Sequence, residues 1–354
     1  MWKQNSLTER LNLKAPIFQA PMGSTSTPAM AAAVSNTGGV GGLGMWGLSS
    51  DDVRRRIQGF RQQSSGALNV NYPHWTDTGD LTDVGLDLRG KVQNLYDAKG
   101  LGLAETPERS EWKLDAEHLE MLAEMKPEVV SFHFGLPDGD VVGCLKERGV
   151  YVICSATTVS EARQLQAGGV DAIIAQGAEA GGHRGTFTDV DVSLQPGLFS
   201  LLPQVVDAVD VPVIAAGGVS DGRTIAAAMM LGASAVQMGT AFLRCDEANV
   251  SDTNRAALNE VTDANTVITP SLSGRPARAL KNELVSGIEA LGEAPMPFPA
   301  QLALTEPMGR TENWQDAIAF VGQSIGLTRP MPAGDLVETL IRETDQCLSN
   351  FMRG

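Results

Sequence analysis

The sequence predicts an α/β fold, a (β/α)8 TIM barrel with a smaller inserted substrate-binding or lid region, and three observations predict it. Eight short, nearly continuous apolar runs recur along the chain, as parallel strands do when helices cover one face and barrel side chains fill the other. Amphipathic segments of helical period separate them, and several end at a glycine that leads into the next run. A chain of 354 residues accommodates a barrel of roughly 250 with room for one elaboration.

Taken in order, the strands are expected at Pro16–Ala20, Val40–Leu43, Leu68–Asn71, Val129–Phe134, Tyr151–Ser155, Ala172–Gln176, Pro212–Ala216 and Ala235–Met238. Between them, helices are expected at Pro28–Ser35, Asp51–Gln62, Asp115–Met125, Gly139–Arg148, Ser160–Ala167, Leu201–Val209 and Asp221–Leu231. Ser49 or Ser50 and Ser220 stand where N-caps are needed, and Gly38, Gly149, Gly168 and Gly232 stand where helices should stop. Two long stretches break the rhythm, from Tyr72 to about Trp112 and from about Asp246 to Met308. Long ordered loops on a barrel are usually functional, so residues 246–308 are expected to form the inserted region and residues 1–245 and 309–354 the barrel. APMPFPAQ reads as a stiff connection back to the body, and the chain from Trp314 onward as helix that closes the barrel.

A net charge of −15 argues against nucleic acid or an anionic membrane surface as partner, since both demand a basic face. The four cysteines, Cys144, Cys154, Cys245 and Cys347, form no CxxC pair, and no Asp/Glu/His set has metal-ligand spacing, so neither a disulfide framework nor a metal is expected. The opening MWKQNSLTERLNLK lacks the apolar core of a signal peptide and no run has the length of a membrane span. A cytoplasmic protein is the expectation.

Val211–Leu243 reads as strand, Gly turn, helix, strand, Gly turn. That is the place after the seventh and eighth strands where many barrels hold a phosphate, with N–H groups near Gly217, Gly218, Gly239 and Thr240 as donors. The alternative is that these glycines only make tight turns. The run Ala172–Gln176 continues into QGAEAGGHRG, which sets Gln176 at a strand's C-terminal end and His183 on the loop above. A titratable group among glycines has little packing to do, so His183 is the candidate catalytic residue. His118 reads as surface, His74 as loop, and His133 either lines the pocket or packs.

These residues carry a resemblance. APIFQAPMGSTSTPAMAAAVSNTGGVGGLG, NVNYPHW, VSFHFGLP, AQGAEAGGHRG, AAGGVSDGR, VQMGTAFL and SGRPAR occur in that order, and the chain resembles the nitronate monooxygenase family, also called 2-nitropropane dioxygenases. The resemblance implies an enzyme with noncovalent FMN that converts an alkyl nitronate and O2 into a carbonyl compound and nitrite. It implies FMN contacts at Met22, Asn69, Gln176, Gly181, Gly218, Gln237, Met238, Gly239 and Thr240, and it matches His183 to the family's catalytic histidine. FMN supplies the redox chemistry. With a pKa near its natural value, His183 would abstract an α-proton from a nitroalkane, or orient the oxygens of a preformed nitronate.

A nitronate is an anion, and propionate 3-nitronate carries a second charge, so a nearby cation is expected. Arg275 and Arg278 are the candidates, with Arg184 and Lys281 behind them; each is alternatively a solvated surface charge. Some members of the family place tyrosines in the substrate pocket, whereas the second long stretch here has none. The nearest rival is an NAD(P)H-dependent FMN reductase of the enoyl-thioester reductase type, whose glycine and histidine loops are similar. A barrel that only binds a phosphorylated metabolite is the rival of another class.

Overall fold

The structure, a computed structural model, describes residues 2–75, 86–102, 114–188 and 191–353. Its strands are β1 (Ile17–Gln19), β2 (Gly41–Gly44), β3 (Leu68–Pro73), β4 (Val129–His133), β5 (Tyr151–Ala156), β6 (Ala172–Gln176), β7 (Gly182–His183), β8 (Val213–Ala216), β9 (Ala235–Met238), β10 (Thr266–Thr269) and β11 (Ala277–Leu280). Eight of these pair in parallel in the order β1-β9-β8-β6-β5-β4-β3-β2. A parallel bridge between Phe18 and Val40 joins the two edges. The result is the expected barrel, and each of the eight apolar runs supplies one of its strands.

Alternation along the strands separates two kinds of core. Val130, Phe132, Val152, Ile173, Val213 and Val236 pack outward against the helices. Phe18, Val129, Ile153, Ile174, Ile214 and Ala235 face inward, with Leu7 and Leu11 of the N-terminal helix Ser6–Arg10 in the same cluster. Continuing the inward parity toward the C-terminal ends of the strands changes the chemistry. It gives Asn71 on β3, Ser131 and His133 on β4, Ser155 on β5, Gln176 on β6 and Gln237 on β9, with Asn69 lower on β3, in register with Val129. The barrel is therefore apolar below and polar at the end where barrel enzymes place their sites.

Three local expectations are corrected. Asp221, not Ser220, caps the helix Gly222–Met230, in a box with Thr224. The helix expected from Leu201 starts at Leu198, because the Glu179 carboxylate accepts from Leu198 N at 2.9 Å and so supplies from a distant loop the cap that Gly197 lacks. The C-terminal helix begins at Ala333 rather than near Trp314; Pro330 and Pro332 break helical hydrogen bonding just before it. It then packs on Gly222–Met230 and Pro28–Asn36 and closes the helical ring.

The second long stretch contributes the antiparallel pair β10–β11, and β11 pairs in turn with β7, setting Ala277 opposite His183. The first long stretch lies partly outside the described residues. Its helix Leu86–Ala98 shares a core with the second stretch through Leu88, Val92, Tyr96, Leu284, Leu304 and Met308. Among the described residues no helix is long and apolar enough to cross a membrane.

Candidate functional site

The loop after β6 carries the histidine, and buried polar bonds fasten it from both sides. Gln176 Nε2 donates to His183 O at 3.0 Å while its Oε1 accepts from Gly185 N at 2.8 Å. Arg184 lies inside the loop, fully buried, donating to Gly177 O at 2.6 Å, Gln176 O at 2.7 Å and Gln195 Oε1 at 2.7 Å. Burial lowers its pKa to about 10, which leaves it cationic at neutral pH. Beyond it the buried Glu161 accepts from Thr157, Thr186 and Thr188. Burial works against that carboxylate, but the hydrogen bonds outweigh burial and hold its pKa below the ordinary value. Arg184 thus builds the loop, which removes it from the cations expected to meet substrate.

His133 is also placed differently from one of its expected roles. Its Nε2 lies 3.1 Å from His183 O and its Nδ1 3.0 Å from Ser155 Oγ. A carbonyl only accepts, so Nε2 carries the proton and Nδ1 accepts from the serine. Both nitrogens being engaged, His133 braces the loop instead of presenting a polar atom to substrate. Burial, with the charges of Arg275 and Arg184, lowers its pKa to about 4.

The ring of His183 is enclosed by Phe134, Phe298 and Phe320, whose centroids lie 5.7, 5.2 and 5.2 Å away. Its Nε2 is 2.8 Å from Ser273 Oγ. The residue is half-buried, and its Nδ1 has no hydrogen-bond partner among the described residues. Burial, with His133 and Arg275 nearby, pushes the imidazole down to about 3. The expectation of a near-natural pKa is therefore corrected: apolar rings and a neighbouring cation disfavour the charged form.

The barrel strands carry features that nothing in the protein explains by itself. Asn69 is fully buried, yet neither its Nδ2 nor its Oδ1 has a hydrogen-bond partner, and the buried Gln237 Oε1 also lacks one. Such groups cost roughly 1–3 kcal/mol each when left without partners. The Asn69 amide and the Gln237 Oε1, both on inward-facing strand positions, fit the donor-and-acceptor edge of a flavin ring. Gln176 has an N–H and a lone pair left over for the same purpose. After β8, Gly217 and Gly218 take φ of 100° and 72°, a conformation that bares successive N–H groups. A Cβ on Gly239, after β9, would stand 3.6 Å from Met22 Sδ, so β1 and β9 close on one another there. Met238 is buried and the Thr240 hydroxyl accepts from Gly322 N at 2.9 Å. Gly181 packs so tightly that an added Cβ would lie 2.5 Å from Gly322 N.

The two arginines favoured as substrate cations separate. Arg278 donates to Ala178 O and Thr266 Oγ1, both at 2.9 Å, and is buried, so it ties the β10–β11 pair to the loop and is not a substrate-facing group. Arg275 lies over the Phe134 ring at 4.1 Å and donates from Nη2 to Thr186 O at 2.8 Å. Among the described residues no carboxylate pairs with it. It lines a cavity of about 510 Å³ with His74, Trp75, Phe134 and Phe187; of these, Phe134 has its ring centroid 5.7 Å from that of His183. No three His, Cys, Asp or Glu side chains among the described residues gather as a metal site.

Sequence reasoning missed four residues here, one of them Phe320, in the stretch after Trp314 expected as helix. Ser273 sits in the quoted SGRPAR motif, where a serine beside two arginines draws no notice. Phe298 belongs to the run read as a connector, and Phe134 to a strand end. Only the meeting of separate loops reveals them.

The family model "Nitronate monooxygenase" matches residues 4–343. A nitronate monooxygenase of Pseudomonas aeruginosa is 37% identical, over 95% of this chain and 98% of that protein. One of Paraburkholderia phytofirmans is 36% identical, over 98% of this chain and 97% of that protein. Among solved structures, nitroalkane oxidase from Streptomyces ansochromogenes superposes with a TM-score of 0.90 at 36% identity, over 98% of this chain and all of that one.

Proposed function

Given that the chain belongs to the nitronate monooxygenase family, we propose that it is an FMN-dependent enzyme that oxidises alkyl nitronates with O2 to a carbonyl compound and nitrite. The observation that carries the reading is that the buried Asn69 amide and the buried Gln237 Oε1 have no hydrogen-bond partners on the inner face of the barrel, whose β6 leads into the His183 loop. Asn69, Gln237 and Gln176 would hold the ring, with Gly181 and Met22 beside it, and Gly218 and the run Gln237, Met238, Gly239 and Thr240 would hold the ring and phosphate. When bound, FMN accepts the electrons that leave the nitronate carbon.

The chain's own groups manage position and protons. His183 Nδ1 receives the α-proton of a neutral nitroalkane, and the resulting imidazolium then faces the nitronate oxygens. Phe134, Phe298 and Phe320 keep water from the reacting carbon and favour an apolar substituent. The inserted region, residues 246–308, brings Phe298 and Ser273 over the barrel and acts as the cover.

Arg275 extends the substrate range to nitronates with a second anionic group, of which propionate 3-nitronate is the example. Its support is a cation with one bond to the backbone and no acidic partner among the described residues. Arg275→Ala raises KM for a carboxylate-bearing nitronate about tenfold or more while leaving that of a simple alkyl nitronate within about twofold. Equal changes for both remove Arg275 from substrate binding.

The whole reading is tested on the purified protein under anaerobic conditions. Bound FMN whose spectrum changes on adding nitronate, with nitrite released once air is admitted, is the expected result. Bleaching by NADPH with no response to nitronate transfers the protein to the reductase reading. A colourless protein that takes up no FMN defeats both.

A further inference from the structure

We infer that Ser273 is a positioning residue whose hydroxyl fixes the tautomer of His183, with the proton on Nε2 and the lone pair of Nδ1 left for substrate. A serine hydroxyl has one proton and two lone pairs, and Ser273 Oγ has three neighbours: Arg275 O at 3.1 Å, Arg275 N at 3.3 Å and His183 Nε2 at 2.8 Å. The carbonyl oxygen can only accept, so it takes the hydroxyl proton. The backbone N–H can only donate, so it takes one lone pair. What remains toward the imidazole is the second lone pair, which requires a proton on Nε2.

The opposite assignment turns the hydroxyl proton to Nε2 and sets an oxygen lone pair against Arg275 O with no hydrogen between them. Ser273 is fully buried, so water cannot repair that arrangement. The charged or titratable groups that act on His183 are Arg275 and His133. Neither hydrogen-bonds Nε2, and the tautomer is left to the serine.

When the α C–H bond of a nitroalkane breaks, its electron pair delocalises onto the nitro oxygens and its proton goes to Nδ1. The Nε2–H···Oγ bond persists through that transfer, so the imidazolium forms without reorganisation of the site. A preformed nitronate needs no such acceptor. This inference rests on His183 as the group that meets substrate, but the tautomer itself is observable without turnover.

The test is ¹⁵N NMR of holoenzyme labelled in its histidine rings. With four histidines in the chain, the His183 signal is assigned by its loss in His183→Asn. The expected spectrum shows a protonated Nε2 and an unprotonated Nδ1, and Ser273→Ala gives averaged, mixed-tautomer shifts. In kinetics, Ser273→Ala lowers kcat for a nitroalkane about tenfold or more, leaves KM and nitronate turnover within about twofold, and is rescued by Ser273→Thr. A wild-type spectrum with the proton on Nδ1 overturns the inference, and so does an equal loss on both substrates. If Ser273→Ala fails to fold, the wild-type spectrum decides alone. If the tautomer is as inferred but no nitroalkane or nitronate is consumed, the proposed function fails and the assignment of Ser273 stands.

Discussion

Replacing His183 with Asn lowers kcat/KM for a neutral nitroalkane by roughly 10²- to 10⁴-fold, the usual worth of a positioned general base, and lowers turnover of the preformed nitronate far less. The difference arises because only the first substrate has a proton to lose. Equal small effects on both would remove His183 from the chemistry. The pH dependence gives a second, sharper form of the same prediction. An imidazole with its ordinary pKa of 6.5 loses activity as a base about tenfold per unit below that value, because the protonated fraction cannot accept. Here burial holds the pKa at about 3, so His183 is neutral throughout the range above pH 5. The nitroalkane kcat/KM should therefore show no inflection near 6.5, measured in wild type against His183→Asn. A titration at that pH that disappears in the variant would show that the ring is more hydrated in solution than its aromatic enclosure implies.

Asn69→Leu should move stability and cofactor affinity in opposite directions. In the apo-protein the substitution replaces a buried amide that lacks partners with an apolar side chain of similar size, and should stabilise by roughly 1–3 kcal/mol. With Asn69 at the edge of FMN as proposed, the same change removes two hydrogen-bonding atoms from that edge. Affinity should fall by roughly 10²-fold, the equivalent of about two such bonds. Thermal unfolding of apo-protein and fluorescence titration with FMN measure the two effects separately. Affinity left at the wild-type value, together with the gain in stability, would mean that the amide serves no ligand.

Much of the barrel was legible because its signals are local. Every apolar run became a strand, since a parallel strand covered on both faces tolerates little but apolar side chains. The glycines after Ala216 and Met238 could be read as turns from their place alone. Helix ends were less legible where the cap comes from elsewhere: nothing near Gly197 announces that Glu179 will receive Leu198 N. The same limit explains the cations. Arg184, Arg275 and Arg278 are chemically alike in the sequence, and only packing separates a buried brace, a group beside a cavity and a tether of the β10–β11 pair.

The sequence alone determined the barrel and the presence of a histidine on a glycine loop above β6, because strand pattern and strand-end position are properties of neighbouring residues. The tertiary structure decided what that histidine can do. Its lowered basicity comes from Phe134, Phe298 and Phe320, its hydrogen-bond partner is Ser273, and its loop is held by His133 and Arg184. Proton affinity and tautomer are set by the dielectric and the donors within a few ångströms of a ring. In this fold those neighbours come from four separate stretches of chain, and only folding brings them together.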